Sequence, residues 1–121
     1  LFTSQVFAEN RFNWTHIVTS DDGFKFYADK NSMRKNKSGN YIVWMLDNTS
    51  KGDSLIASEE YDCSNLRYRL VYAALYNNHY GKGEKIGSYD TEQLKSIGKY
   101  NWVYPTPKTP NDSKVNWVCR N

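Results

Sequence analysis

No apolar run in this sequence approaches the roughly 18 residues that a membrane-spanning helix needs, so nothing in it is expected to cross a bilayer as a helix. Histidine and cysteine are scarce, at two each. HExxH and GxSxG are missing, which removes the parts of most metal and nucleophilic hydrolases. Cys63 and Cys119 have no CxxC spacing, no neighbouring histidine and no third ligand, so neither a metal nor a cofactor is expected. Charge of one sign is also lacking: 16 Lys and Arg stand among 13 Asp and Glu, for a net +3. That balance suits solubility and gives no basic stripe for nucleic acid. Gly81, Gly83 and Gly87 fall close together, but their spacing fits neither G-x-G-x-x-G nor the phosphate-loop pattern, and they read as a turn.

What remains is globular. A chain of 121 residues supports one hydrophobic core, hence one domain, and 39% hydrophobic with 24% charged residues excludes a disordered tail. The two cysteines are either one long-range disulfide, which would imply export to an oxidising compartment, or two buried thiols. Residues Leu1 to Ala8, ending in Val6-Phe7-Ala8, read as the tail of a signal peptide or as an ordinary extension. On this reading residues 1–13 form an N-terminal extension and 14–121 the domain, with no cysteine near the start to carry a lipid anchor.

Along the chain, Asn13 to Ser20 and Phe24 to Ala28 flank the Asp21-Asp22-Gly23 turn and predict a β-hairpin. Residues 29–40 read as a polar loop, and its basic cluster of Lys30, Arg34, Lys35 and Lys37 as a solvated surface. Tyr41 to Leu46 is apolar on both alternating faces, the pattern of a central strand covered on both sides. Further strands are expected at Ser54 to Tyr61, Leu66 to Tyr76 and Lys85 to Tyr89, with a helical turn or irregular link at Thr91 to Ile97. In the 66–76 run, Tyr68, Tyr72, Tyr76 and Tyr80 would form a stripe on a helix or share one face of a strand; alternation favours the strand. Thr109 as N-cap, Pro110 at the first helical position and Asp112 in the first turn predict a final helix, with Val115, Val118 and Cys119 on the face that meets the sheet. The fold class is therefore α+β, a mainly antiparallel sheet of about six strands with a C-terminal helix.

The chain is not expected to be an enzyme. An acid–base nuclease using His16, His79 and a lysine is the one catalytic reading left, and His16 lies in a strand pattern while His79 sits in a polar Asn-Asn-His-Tyr turn. Asp21-Asp22 and Glu59-Glu60 are adjacent pairs without the ligand spacing of a calcium loop. Tyrosine is the feature that suits recognition, because Tyr and Trp give rigid contact area with a polar tip and join Arg at interface hot spots. Arg67, Tyr68, Arg69, Tyr72, Tyr76 and Tyr80 are the candidate ligand-binding residues.

Trp14 with Ile17-Val18, the Asp22-Gly23 turn, Phe26-Tyr27-Ala28-Asp29, Val43-Trp44, Tyr61-Asp62-Cys63, the Arg67/Arg69 region, Trp102-Val103-Tyr104-Pro105 and Val118-Cys119 follow one another in an order that resembles the bacterial surface-adhesin protein E family. The resemblance runs from about Trp14 to Cys119. It implies an antiparallel sheet with the C-terminal helix pinned to it by a Cys63–Cys119 disulfide. It also implies an exported protein of the bacterial surface, outer membrane or periplasm that attaches to host extracellular-matrix or serum proteins. The competing expectation is an envelope structural domain that pairs with itself as a homodimer or with another bacterial protein. Pro105-Thr-Pro-Lys-Thr-Pro110 before the final helix departs from the family pattern.

Overall fold

The structure, a computed structural model, describes residues 12–120; the signal-peptide tail expected at 1–8 lies outside them, as does the extension expected at 1–13 up to residue 11. Six strands follow in order: β1 (Trp14–Thr19), β2 (Lys25–Lys35), β3 (Tyr41–Asn48), β4 (Ser54–Asp62), β5 (Arg67–Tyr76) and β6 (Lys85–Tyr89). Each pairs antiparallel with the next, so the sheet is a simple meander. Two helices follow, α1 (Thr91–Ser96) and α2 (Pro110–Arg120).

Local chemistry explains most of these boundaries. Gly23 takes a φ of 91°, which costs a residue without a Cβ little, and closes the β1–β2 turn with its N–H on the Ser20 carbonyl at 3.0 Å. α1 starts in a capping box: the Asp90 carboxylate accepts from Gln93 N–H at 2.9 Å and the Gln93 side chain accepts from Asp90 N–H at 2.8 Å. α2 has the expected cap, with Thr109 Oγ1 accepting from Asp112 N–H at 3.3 Å and Pro110 opening the helix.

β2 corrects the expectation of a loop over 29–40. The strand continues to Lys35 through an irregularity between Asp29 and Arg34. There the Ser32 hydroxyl accepts from Trp44 N–H at 3.0 Å and donates to the Asp29 carbonyl at 2.8 Å, and Met33 packs on the core. A polar side chain thus stands in for the missing ladder bond, which is why a polar sequence runs as a strand here. Lys30, Arg34 and Lys35 remain exposed on it.

β3 is covered on both sides, as its apolar pattern predicts. Val43 and Met45 join Ala28, Tyr61, Val115 and Val118 in the core between the sheet and α2, while Ile42 and Leu46 are buried on the opposite side. At about 1.5–3 kcal/mol per fully buried large apolar side chain, this cluster is the main source of cohesion. The disulfide joins the end of β4 to α2, Cys63 to Cys119, with 5.5 Å between their Cα atoms.

One ion pair is sealed into the same layer. Lys114 of α2 places Nζ 3.1 and 3.2 Å from the two carboxylate oxygens of Glu59 on β4, and their side chains are 3% and 6% exposed. Tyr61 donates its hydroxyl to Glu59 at 2.6 Å. Burial opposes the charge on Lys114, but the carboxylates of Glu59 and Asp47 outweigh it and push its pKa up.

Candidate binding surface

β5 carries most of the candidate residues, and a bulge in it decides where they point. In the β4–β5 ladder Tyr61 faces Tyr68 and Glu59 faces Leu70, but Ser58 faces Tyr72, so Val71 is the extra residue. A one-residue slip sends everything beyond it to the other face of the sheet. Tyr68 and Leu70 therefore lie on the helix side, where Tyr68 stacks on Tyr61 at 5.4 Å, whereas Tyr72 and Tyr76 lie on the opposite side with Arg67 and Arg69. The expectation that the four tyrosines share one face of the strand is corrected on this point. Arg67, Arg69, Tyr72 and Tyr76 share one side of the sheet along the length of β5, and Tyr68 lies on the other.

Residues 100–104 complete the surface. Val103 pairs with Tyr68 through two backbone hydrogen bonds, Tyr68 N–H to Val103 O at 3.0 Å and Val103 N–H to Tyr68 O at 2.7 Å, and so covers the part of the β5 edge that β6 leaves open. Val103 shares the helix side with Tyr68, so alternation puts Trp102 and Tyr104 on the arginine side. The Arg69 guanidinium lies 4.4 Å from the Tyr100 ring and 4.1 Å from Trp102; that of Arg67 lies 4.2 Å from Trp102 and 5.9 Å from Tyr104. The order is Tyr100, Arg69, Trp102, Arg67, Tyr104, a ladder of alternating rings and cations.

Carboxylates on the neighbouring strand hold the ladder in place. Arg67 Nε donates to Asp62 at 2.7 Å and Nη1 to the Tyr104 hydroxyl at 3.0 Å; Arg69 Nε donates to Glu60 at 2.9 Å. Burial would raise the pKa of Glu60, but hydrogen bonds from Asn40, Asn36 and Arg69 outweigh it and hold it below the ordinary carboxylate value. Asp62 is lowered by Asn65 and by Arg67. Both carboxylates therefore stay charged well into acid. Tyr104 remains 63% exposed at the end of the stack.

The same side of the sheet continues as an aromatic strip. Trp44 meets Tyr72 edge-on at 6.0 Å, and Tyr27 packs on Tyr80 at 5.6 Å with their hydroxyls 3.3 Å apart. Burial and this bond push the Tyr27 phenol up to about 12, so it stays protonated. Tyr80 lies in a 3-10 turn, His79–Gly81, at a φ of 62°, held by its N–H on the Asn48 side chain at 2.8 Å. Gly81 beside it has no room for a side chain, since a Cβ would stand 2.3 Å from Ile56 Cδ1. His79 is bonded to the Thr49 carbonyl at 2.8 Å and His16 to Thr19 at 2.9 Å. No group of three His, Cys, Asp or Glu placed to hold a metal occurs among the described residues, and none of their helices is long and apolar enough to cross a membrane.

The family model for surface-adhesin protein E matches residues 14–120. The chain belongs to that family. Its fold is also that of a solved relative, crystal form II of Haemophilus influenzae protein E, with a TM-score of 0.67 at 17% identity over 88% of this chain and 87% of that one. No curated protein matches it significantly in sequence. Membership makes this an adhesin-like, exported surface protein and suggests a non-enzymatic binding role. The six-stranded antiparallel sheet, the C-terminal helix and the Cys63–Cys119 disulfide agree with what the ordered motifs implied.

Tyr100 and Tyr104 were not among the expected site residues, nor was Trp102. The alternation Tyr100, Trp102, Tyr104 was a readable signal of three rings on one side, but that the side belonged to Arg67 and Arg69 depends on a pairing 35 residues away, Tyr68 with Val103.

Proposed function

We propose that this adhesin E domain attaches to host extracellular-matrix or serum proteins through the ladder of Tyr100, Arg69, Trp102, Arg67 and Tyr104, extended by Tyr72 and Tyr76. The observation that carries the reading is the fixed alternation of guanidinium and aromatic groups on the side of the sheet away from α2, with Lys95 of α1 5.4 Å from the Tyr100 ring at its end. Arg, Trp and Tyr dominate interface hot spots, and side chains already locked by Asp62 and Glu60 lose little entropy on contact. Tyr68 contributes to this surface only by carrying Val103 and the segment around it. Tyr80 lies at the far end of the same side.

The test is binding of the oxidised domain to immobilised matrix and serum proteins across a salt series. Saturable binding that survives physiological salt supports the proposal, since loose charge attraction is screened there within about 8 Å. Uniform absence of binding, together with a tight dimer in sedimentation, would favour a self-associating envelope domain instead; β6, with Ile86 57% exposed, offers a sheet edge for that.

A further inference from the structure

A cavity of about 500 Å³ opens on the helix side of the sheet, away from the ladder. Its floor is apolar, from Leu70 and Leu75 of β5, and Leu94 of α1 and Val103 wall it. Drug-sized ligands occupy spaces of about 300–1,000 Å³ with mostly apolar linings and a few placed polar groups. Its charged groups are Asp47, Glu59, Lys114 and Lys99, beside the polar side chains of Tyr68, Tyr89, Asn101 and Asn111. Lys114 is committed to Glu59, which also accepts from Tyr61. Asp47 is different. It is half-buried in the wall with Lys114 as its nearest compensating charge; no buried side-chain polar atom among the described residues lacks a partner, so the acceptor positions its carboxylate keeps free are open to the cavity. A carboxylate in an otherwise apolar wall with free acceptor positions can take a charge-assisted hydrogen bond from a bound donor.

We infer that this cavity binds a small amphipathic amine, its apolar body resting on Leu70 and Leu75 and its ammonium group donating to Asp47. Charge complementarity selects that class. With Lys114 neutralised by Glu59, the interior keeps one negative charge; the other cation at the site, Lys99, is exposed at the mouth and screened by water. An anion would meet the Asp47 and Glu59 carboxylates, and a neutral ligand would gain no ion pair with Asp47. Burial lifts the Asp47 carboxyl to about 6, with Lys114 opposing and Glu59 adding to the rise, so the group is ionised at neutral pH and the site empties on acidification.

Three probes with one skeleton separate the contributions: tryptamine, tryptophol and indole-3-propionate, titrated against the oxidised protein with the methyl resonances of Leu70, Leu75 and Leu94 as readout. Tryptamine is expected to shift these methyls saturably and to bind roughly ten-fold or more tightly than tryptophol, as for a charge-assisted hydrogen bond. Asp47→Asn should reduce that preference to within about three-fold while leaving far-UV circular dichroism intact. Should this variant fail to fold, the wild-type protein gives the same answer, because tryptamine binding should fall when the pH is taken from about 7.5 to about 5. Equal affinity for the three probes, no binding by any, unchanged affinity in Asp47→Asn or at acid pH, or shifts centred on Trp102 and Tyr104 would each overturn the inference. These outcomes are independent of whether the ladder binds a host protein.

Discussion

Replacing Lys114 by methionine removes a charge and keeps the stem. Met spans nearly the same path along the core as the Lys114 stem, while the ammonium that lies 5.8 Å from the Phe26 ring and 5.2 Å from Tyr68 goes. What is lost is the partner of Glu59, a carboxylate 6% exposed that would keep only the Tyr61 hydroxyl. Removing one member of a buried pair costs about 3–5 kcal/mol, against a total stability of about 5–15 kcal/mol for a domain. Equilibrium urea unfolding of the oxidised protein reads this directly, and with m at about 1–3 kcal/mol/M the midpoint should drop by about 2 M. The double variant Glu59→Gln with Lys114→Met removes both charges and should recover most of the loss, because the cost lies in the stranded carboxylate. A single variant that loses under about 1 kcal/mol, or a double variant no more stable than the single, would refute the assignment of this pair.

Asp47→Asn should act in the opposite direction. Its folded pKa of about 6 stands above the ordinary 3.8, so ionisation opposes folding, with the penalty absent below 3.8 and complete above about 6. The variant should gain about 3 kcal/mol at about pH 7.5 and nothing at about pH 3.5, measured by urea unfolding at the two values. Loss of the Cys63–Cys119 bridge in a paired Cys→Ala variant should cost about 4 kcal/mol, since it closes a loop of 56 residues, again by urea midpoint. Gly81→Ala combines a φ of +68° with a contact at 2.3 Å to Ile56 and should cost about 2 kcal/mol or more in thermal unfolding; a neutral result would mean that the turn carrying Tyr80 relaxes freely.

The meander, the final helix and the two-sided burial of Tyr41 to Leu46 were legible because each rests on local pattern: alternation, turn residues, a Thr-Pro cap. The faces of β5 were not. Alternation through 66–76 assumes an unbroken ladder, and the extra residue at Val71 has no signature in its own identity; only the pairing with β4 shows it. The run of β2 past Asp29 was hidden for a related reason, since Ser32 supplies from a side chain what the backbone usually supplies. Arg67 and Arg69 were identified as recognition residues, but their aromatic partners come from a segment that reaches them only through Tyr68 and Val103. The cavity at Asp47 could not be read at all, because its walls come from β3, β5, α1 and the 97–103 segment, which only the fold assembles.

The most direct test of the central claim compares host-protein binding by the wild type and by two variants at physiological salt, each first shown to unfold at the wild-type urea midpoint. Trp102→Ala with Tyr104→Ala truncates the ladder, and Ile86→Ser alters the distant β6 edge. Matrix or serum protein binding that falls roughly ten-fold or more in the first and is unchanged in the second is the predicted result. Binding retained by the ladder variant, or lost equally in both, would contradict it.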